Sequence, residues 1–475
     1  MDNSINIFPT TERERLFEQL NEKLETAYQF NRKLVSFQAN KNEPVYRWFK
    51  YKEGFSSSLV KYFLKKFAPK PGRVLDPFAG AGTTLFAGQE LGWESHGIEL
   101  LPVGAFVMKV REAVLRVDFE KLKGTINKLW SDIGQMGSYD EHLRHIPITK
   151  DAFPDETENY LNKYLTICSN LKDKDIQTLL RFAAFAVLEE ISYTRKDGQY
   201  LRWDYRSNRK LLSKPFDKGK ILTFREAVSN KLQQMLTDLS PHKPLTLFDQ
   251  VESNGHSQHP VNIIEGSCLE ELPRLKDESF DFIVTSPPYC NRYDYTRTYA
   301  LELVYLGYDN QAVRDLRQTM LSCTVENKEK IGYLQKLYAS LGEEKAFGNI
   351  LDVYDGSPAM TEVNEVLNEL NRQGKLNNAN ISRLVKNYFL EMCFVIREMA
   401  RVLKSGGRCV MVNDNVRYGG EEIPVDLILS EFAENFGFTI EKIFVLPKGK
   451  GNSSQQMGNY GRTEIRKCIY LWLKQ

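Results

Sequence analysis

Cysteine is scarce and unpatterned: the 475 residues hold seven, an odd number, and no two stand in a CxxC spacing. That excludes a disulfide-stapled scaffold and a cysteine zinc site, and fits a reducing compartment. An excess of one charge is also missing. Lys and Arg number 64 against 62 Asp and Glu, a net charge of +2, so any surface built for a polyanion must be local. No apolar run has membrane length, and the opening MDNSINIFPTTERER has no apolar stretch behind a positive flank. A cytoplasmic protein with no membrane partner is the expectation. Hydrophobic content of 42% and charged content of 27% describe a globular chain, long enough for two to three domains or one domain with large insertions.

Two stretches stand out. Phe280 to Val284 is an apolar run of buried-strand length, and it stops at Thr285-Ser286-Pro287-Pro288-Tyr289. Two prolines cannot donate to a sheet ladder, so the strand must end there. In an open α/β sheet the loop after a strand's carboxyl end faces the ligand crevice. Carbonyls freed from the ladder can accept from an amino group, and Tyr289 can stack on a planar ring. A proline-rich loop that merely closes a strand would look the same in isolation.

The second stretch is Asp76-Pro77-Phe78-Ala79-Gly80-Ala81-Gly82-Thr83-Thr84, between a short strand (Arg73 to Leu75) and a helix (Leu85 to Leu91). Glycines at 80 and 82 permit a sharp turn and close approach of backbone to ligand. Thr83 and Thr84 can cap the helix, and Asp76 can take a charged amine. No GKS or GKT follows, so this is not a phosphate-cradling P-loop. One βα unit later Ser95 to Glu99 reads as a strand ending in an acid, which can accept the hydroxyls of a ribose.

DPFAGAGTT, an acidic strand end and TSPPY, in that order, resemble the S-adenosylmethionine-dependent amino-methyltransferases that act on DNA bases. The resemblance implies a Rossmann-like, doubly wound α/β methyltransferase sheet with largely helical insertions. It implies a cofactor site at Asp76, Phe78, Gly80, Gly82, Thr83 and Glu99, with Ser267 and Cys268 where the family contacts adenine. Ser286, Pro287, Pro288 and Tyr289 become the catalytic set, acting directly on the exocyclic amine of a base flipped from double-stranded DNA, with no metal. The serine form of the motif is the one associated with cytosine N4. Adenine N6, an RNA base and a non-catalytic binding module remain the alternatives. A restriction-modification role beside a cognate restriction or defence nuclease is what the family implies.

The remaining chain divides around those motifs. Residues 1–39 carry an amphipathic helix, with Leu16, Leu20, Leu24 and Ala27 at helical spacing and Thr10 or Thr11 as cap. The core is discontinuous: 40–104 for the cofactor, 256–304 for catalysis, 381–475 to finish the sheet. Ser56 to Ser58 resemble a helix N-cap, and with Tyr51 and Phe55 they also stand where the family holds the cofactor's methionine end. Residues 105–255 form a helical insertion with a buried helix at Leu179 to Leu188. An arginine- and aromatic-rich run from Ser192 to Lys210 follows, either a DNA contact or a solvated basic loop. Residues 240–260 read as a linker. Residues 305–380 form a second insertion with loops at Gly348 and Gly356, and either insertion can read the target. A helix from Ile381 stops at Lys404-Ser405-Gly406-Gly407 before a strand at Arg408 to Val412. Ile440 to Leu446 and Arg466 to Leu473 form a closing hairpin, and Pro447 to Arg462 is its long loop. Cys290 follows the Pro-Pro-Tyr, the wrong order for a Pro-Cys nucleophile.

Overall fold

A computed structural model describes residues 10–197, 200–207, 209, 215–240, 259, 261–447 and 464–475. The expected linker at 240–260 and the hairpin loop at 447–462 lie almost wholly outside the described residues.

Among the described residues, eight strands make the central sheet. They are β1 (Leu24–Thr26), β2 (Arg73–Asp76), β3 (Glu94–Glu99), β4 (Val261–Glu265), β5 (Phe280–Thr285), β6 (Leu403–Asp414), β7 (Phe438–Val445) and β8 (Lys467–Lys474). Their order is β1-β7-β8-β6-β5-β2-β3-β4. Only β8 runs antiparallel to its neighbours. From β2 the chain first winds outward through β3 to β4, then returns to the other side at β5. The carboxyl ends of β2 and β5 therefore flank the point where the winding reverses, the place where such sheets bind ligands.

Side-chain alternation sorts each strand between two cores. Val74, Phe282, Val284, Val410 and Val412 join one cluster with Phe30 and Phe63, the latter on the helix Ser57–Phe67. Leu75, Ile283, Cys409 and Met411 face the other, built on the long helix Ile381–Val402. Being buried on both faces explains why β5 reads as a continuous apolar run.

The first insertion is largely helical, with helices at Pro102–Val114, Phe119–Gln135, Asp155–Ser169, Lys174–Phe185 and Phe224–Leu239. Leu179, Leu180 and Phe182 contribute to a further core that it shares with Trp48, Phe49, Tyr299 and Tyr305. The second insertion is helical too, and its helices Glu344–Asp355 and Pro358–Arg372 pack on Ile381–Val402.

Four local expectations need correction. The first helix ends at Leu20, because Leu24–Thr26 pairs in parallel with Ile443 to Val445 instead. An open sheet edge offers hydrogen bonds to backbone that helical spacing alone cannot outbid. Gly348 lies inside a helix, where only Gly356 marks the end. The strand after Ile381–Val402 starts at Leu403, with Lys404 to Gly407 thrown out as an irregularity in its pairing with β5. Finally, the basic run is largely an antiparallel hairpin, Thr194–Asp197 with Tyr200–Trp203. Among the described residues, its arginines have internal partners. Arg202 lies 4.0 Å over Phe216, Arg209 lies 3.8 Å over Trp203, and Arg206 pairs with Asp204 at 2.6 Å. Lys196 is buried against Glu302.

Candidate active site

The loop after β2 takes its shape from two left-handed glycines, Gly80 at φ +54° and Gly82 at φ +74°. A Cβ at Gly82 would sit 2.7 Å from Met108 Cγ, so space as well as torsion requires glycine there. Asp76, 1% exposed, organises the loop. Its Oδ1 accepts from Thr285 Oγ1 (2.7 Å) and the Phe78 amide (3.0 Å), and its Oδ2 accepts from Thr84 Oγ1 (2.8 Å). Burial raises its pKa to about 6, the three hydrogen bonds opposing the rise.

Glu99 ends β3 and faces the same loop. Its Oε2 accepts from the Gly80 amide at 2.5 Å and its Oε1 from the Leu101 amide at 2.6 Å. Burial pushes this carboxyl up to about 8. Gly104 keeps the approach open, since a Cβ there would meet the Gly80 carbonyl oxygen at 2.4 Å. After β4, Ser267 and Cys268 are buried at the start of a short helix. Desolvation raises the Cys268 thiol far above its ordinary range, which keeps it protonated and disfavours it as a nucleophile.

The TSPPY loop closes the set. Thr285 reaches back to Asp76, and the Ser286 hydroxyl donates to the Val412 carbonyl of β6 at 3.1 Å. Its Oγ lies 3.3 Å from the Tyr289 hydroxyl. Ser286, Pro288 and Tyr289 are half-buried and Pro287 is buried.

Two cavities meet at this loop. The first, about 760 Å³, is lined by Asp76, Phe78, Gly80, Thr83, Glu99, Ser267, Cys268, Ser286 and Pro288, with Tyr51, Gly54 and Phe55. Its lining has three acids (Glu53, Asp76 and Glu99) and no lysine, arginine or histidine. Such a wall suits a cationic ligand and disfavours a polyphosphate. The second cavity, about 1540 Å³, holds Pro287 and Tyr289, with Arg32, Lys33, Lys52 and Lys467 on its walls. A basic, aromatic hollow of that kind suits a nucleotide presented from a phosphate backbone.

Comparison with known proteins identifies the family. The family model for N6/N4 methyltransferases, described as DNA methylase, matches residues 4–103. The Type II methyltransferase M.AvaI of Nostoc sp. is 46% identical over 467 residues, covering 97% of this chain and 92% of its own. The Type II methyltransferase M.BsoBI of Geobacillus stearothermophilus is 41% identical over 484 residues, covering 98% and 92%. The chain belongs to the N6/N4 DNA methyltransferases. No solved structure matches it.

The methyltransferase's candidate site is lined by more residues than its motifs announce. Glu53 and Tyr295 line both cavities, and Met320 and Leu321 of the second insertion reach the first. Asp414, at the end of β6, lines the second and is ion-paired with Lys467. Tyr51 and Phe55 line the first cavity, whereas Ser56 caps a helix, accepting from the Leu59 amide at 3.3 Å. Glu53 had no sequence signal beyond its place between Tyr51 and Phe55. Among the described residues no helix is long and apolar enough to cross a membrane, and no acid, histidine or cysteine cluster could hold a metal.

Proposed function

We propose that this DNA methyltransferase uses S-adenosylmethionine to methylate N4 of a cytosine flipped out of duplex DNA. The observation that carries the reading is the direction of the Ser286 hydroxyl. Its one proton goes to the Val412 carbonyl and the Tyr289 phenol stands 3.3 Å from it, which leaves Oγ a lone pair to accept an amine hydrogen.

The N4 lone pair of cytosine is delocalised into the ring and is a poor nucleophile. Ser286 Oγ and the Pro287 carbonyl, accepting the amine's two hydrogens, favour a more tetrahedral nitrogen with a localised pair. Tyr289 stacks on the extruded ring, whose exit from the helix costs a few kcal/mol. The first cavity fits the cofactor. Glu99 takes the ribose hydroxyls, the Gly80–Gly82 backbone lies along the ligand, and the acidic lining suits its positive charge. Ser267 and Cys268 stand at the adenine end, and Phe78 adds an aromatic wall. Asp76 shapes the loop that meets the amine. When bound, S-adenosylmethionine supplies an electrophilic methyl on a sulfonium. Much of the acceleration then comes from alignment. The relatives' description as Type II methyltransferases supports a role opposite a restriction nuclease.

Ser286→Ala and Tyr289→Ala test these roles. Methyl transfer at saturating cofactor should fall on the order of 100-fold in each, with cofactor affinity within about threefold of wild type. Equal losses of binding and transfer would contradict the roles given to both residues.

A further inference from the structure

Methylating an amine leaves a proton to remove, and the TSPPY loop contains nothing basic enough to take it. Among the described residues Ser286 Oγ contacts a carbonyl and a phenol, and no carboxylate. The reacting atoms must meet where the two cavities join, because one holds the methyl donor and the other the base. The acids of those walls are Asp76, Glu99, Asp414 and Glu53. Asp76 is tied to Thr84, Thr285 and Phe78, and Asp414 to Lys467. Glu99 sits on the Gly80 and Leu101 amides in the first cavity alone. Glu53 is the acid that lines both.

Resting on the reading above, we propose that Glu53 is the proton acceptor of the transfer step. Its carboxylate is held by two phenols, Tyr293 on Oε1 and Tyr299 on Oε2 at 2.5 Å. Tyr299 is itself stacked on Tyr51, with ring centroids 5.5 Å apart. Phenols fix the group yet leave each oxygen a further lone pair. No cation pairs with Glu53 among the described residues. The neighbouring Lys52 is directed to the Lys196 carbonyl at 2.8 Å. The step balances as follows. The amine's electron pair forms the N–CH3 bond while the C–S bond breaks, its pair returning to a now neutral sulfur. The nitrogen, positive at that moment, gives up one of the hydrogens held by Ser286 Oγ and the Pro287 carbonyl, and a Glu53 oxygen receives it as a proton. The products are the methylated amine, the thioether and protonated Glu53.

The test uses the full-length protein and whichever duplex the wild type modifies. The nucleoside that the wild type makes judges the cytosine reading separately, because an adenine amine would need the same proton acceptor. Cofactor affinity of Glu53→Gln, measured without DNA by titration calorimetry, should fall by no more than about tenfold, because one of the three acids of that wall loses its charge. Single-turnover transfer should slow on the order of 100-fold. Glu53→Asp should recover part of that loss, and formate, but not chloride at equal ionic strength, should accelerate Glu53→Ala. Wild-type transfer by Glu53→Gln would overturn the proposal. So would cofactor binding lost in proportion to rate, or a loss that neither Asp nor formate repairs, since those results make Glu53 only an anchor for Tyr293 and Tyr299.

Discussion

Thr285 donates a 2.7 Å hydrogen bond to Asp76, joining the last residue of β5 to the last residue of β2. One buried carboxylate thus positions both the loop that carries Gly80 and Gly82 and the loop that carries Ser286. Thr285→Val keeps the shape and removes the donor. Leaving a buried carboxylate oxygen short of a partner should lower unfolding free energy by about 1–3 kcal/mol. Because the hydroxyl opposes the rise in the Asp76 pKa, the variant's carboxyl should titrate still higher. Urea denaturation checks the first effect; unchanged stability would mean that water or a neighbour replaces the threonine.

Asp76 and Glu99 give the cofactor-free protein a defined pH response. Burial raises the first from 3.8 to about 6 and the second from 4.5 to about 8. The folded state therefore holds protons that the unfolded chain has released. Stability contributed by these groups is complete below their unfolded values and falls as pH rises through their folded ones. Between about pH 6 and about pH 7.5, binding a cation with ribose donors should drive Glu99 to its carboxylate and release a proton, so affinity should rise with pH. Calorimetry in buffers of different ionisation heat should detect that proton in wild type and not in Glu99→Gln. A wild-type signal independent of buffer would exclude the coupling.

Lys33 is exposed on the wall of the second cavity. If it meets a phosphate beside the flipped nucleotide, Lys33→Ala should weaken binding to all duplexes alike and reduce the salt slope by about one. Cofactor affinity should not change. An unaltered salt slope would place the DNA backbone elsewhere.

The parts of this molecule legible in the sequence are those where one physical demand acts alone. β5 shows as an apolar run because both faces are buried, and it ends at Thr285, ahead of two prolines that cannot donate. Gly80 and Gly82 are marked because the loop needs left-handed torsions. Elsewhere partners distant in sequence decide the outcome. Leu24–Thr26 is a strand because Ile443–Val445 offers it an edge. The arginines near 200 have aromatic or acidic partners that cannot be paired by reading along the chain. Glu53 lay in a stretch noted for its aromatics, yet its place at the junction of two cavities depends on Tyr293 and Tyr299, 240 and 246 residues away. Periodicity reports a residue's face; it does not report what folds against that face.

The most direct test of the central claim is the chemical identity of the product. The protein is incubated with methyl-labelled S-adenosylmethionine and unmethylated bacterial DNA, the DNA is digested to nucleosides, and the labelled one is identified by mass spectrometry. Label in N4-methyl-2′-deoxycytidine is the expected result. Label only in N6-methyl-2′-deoxyadenosine would leave a DNA methyltransferase and contradict the assignment of Ser286 to a cytosine amine.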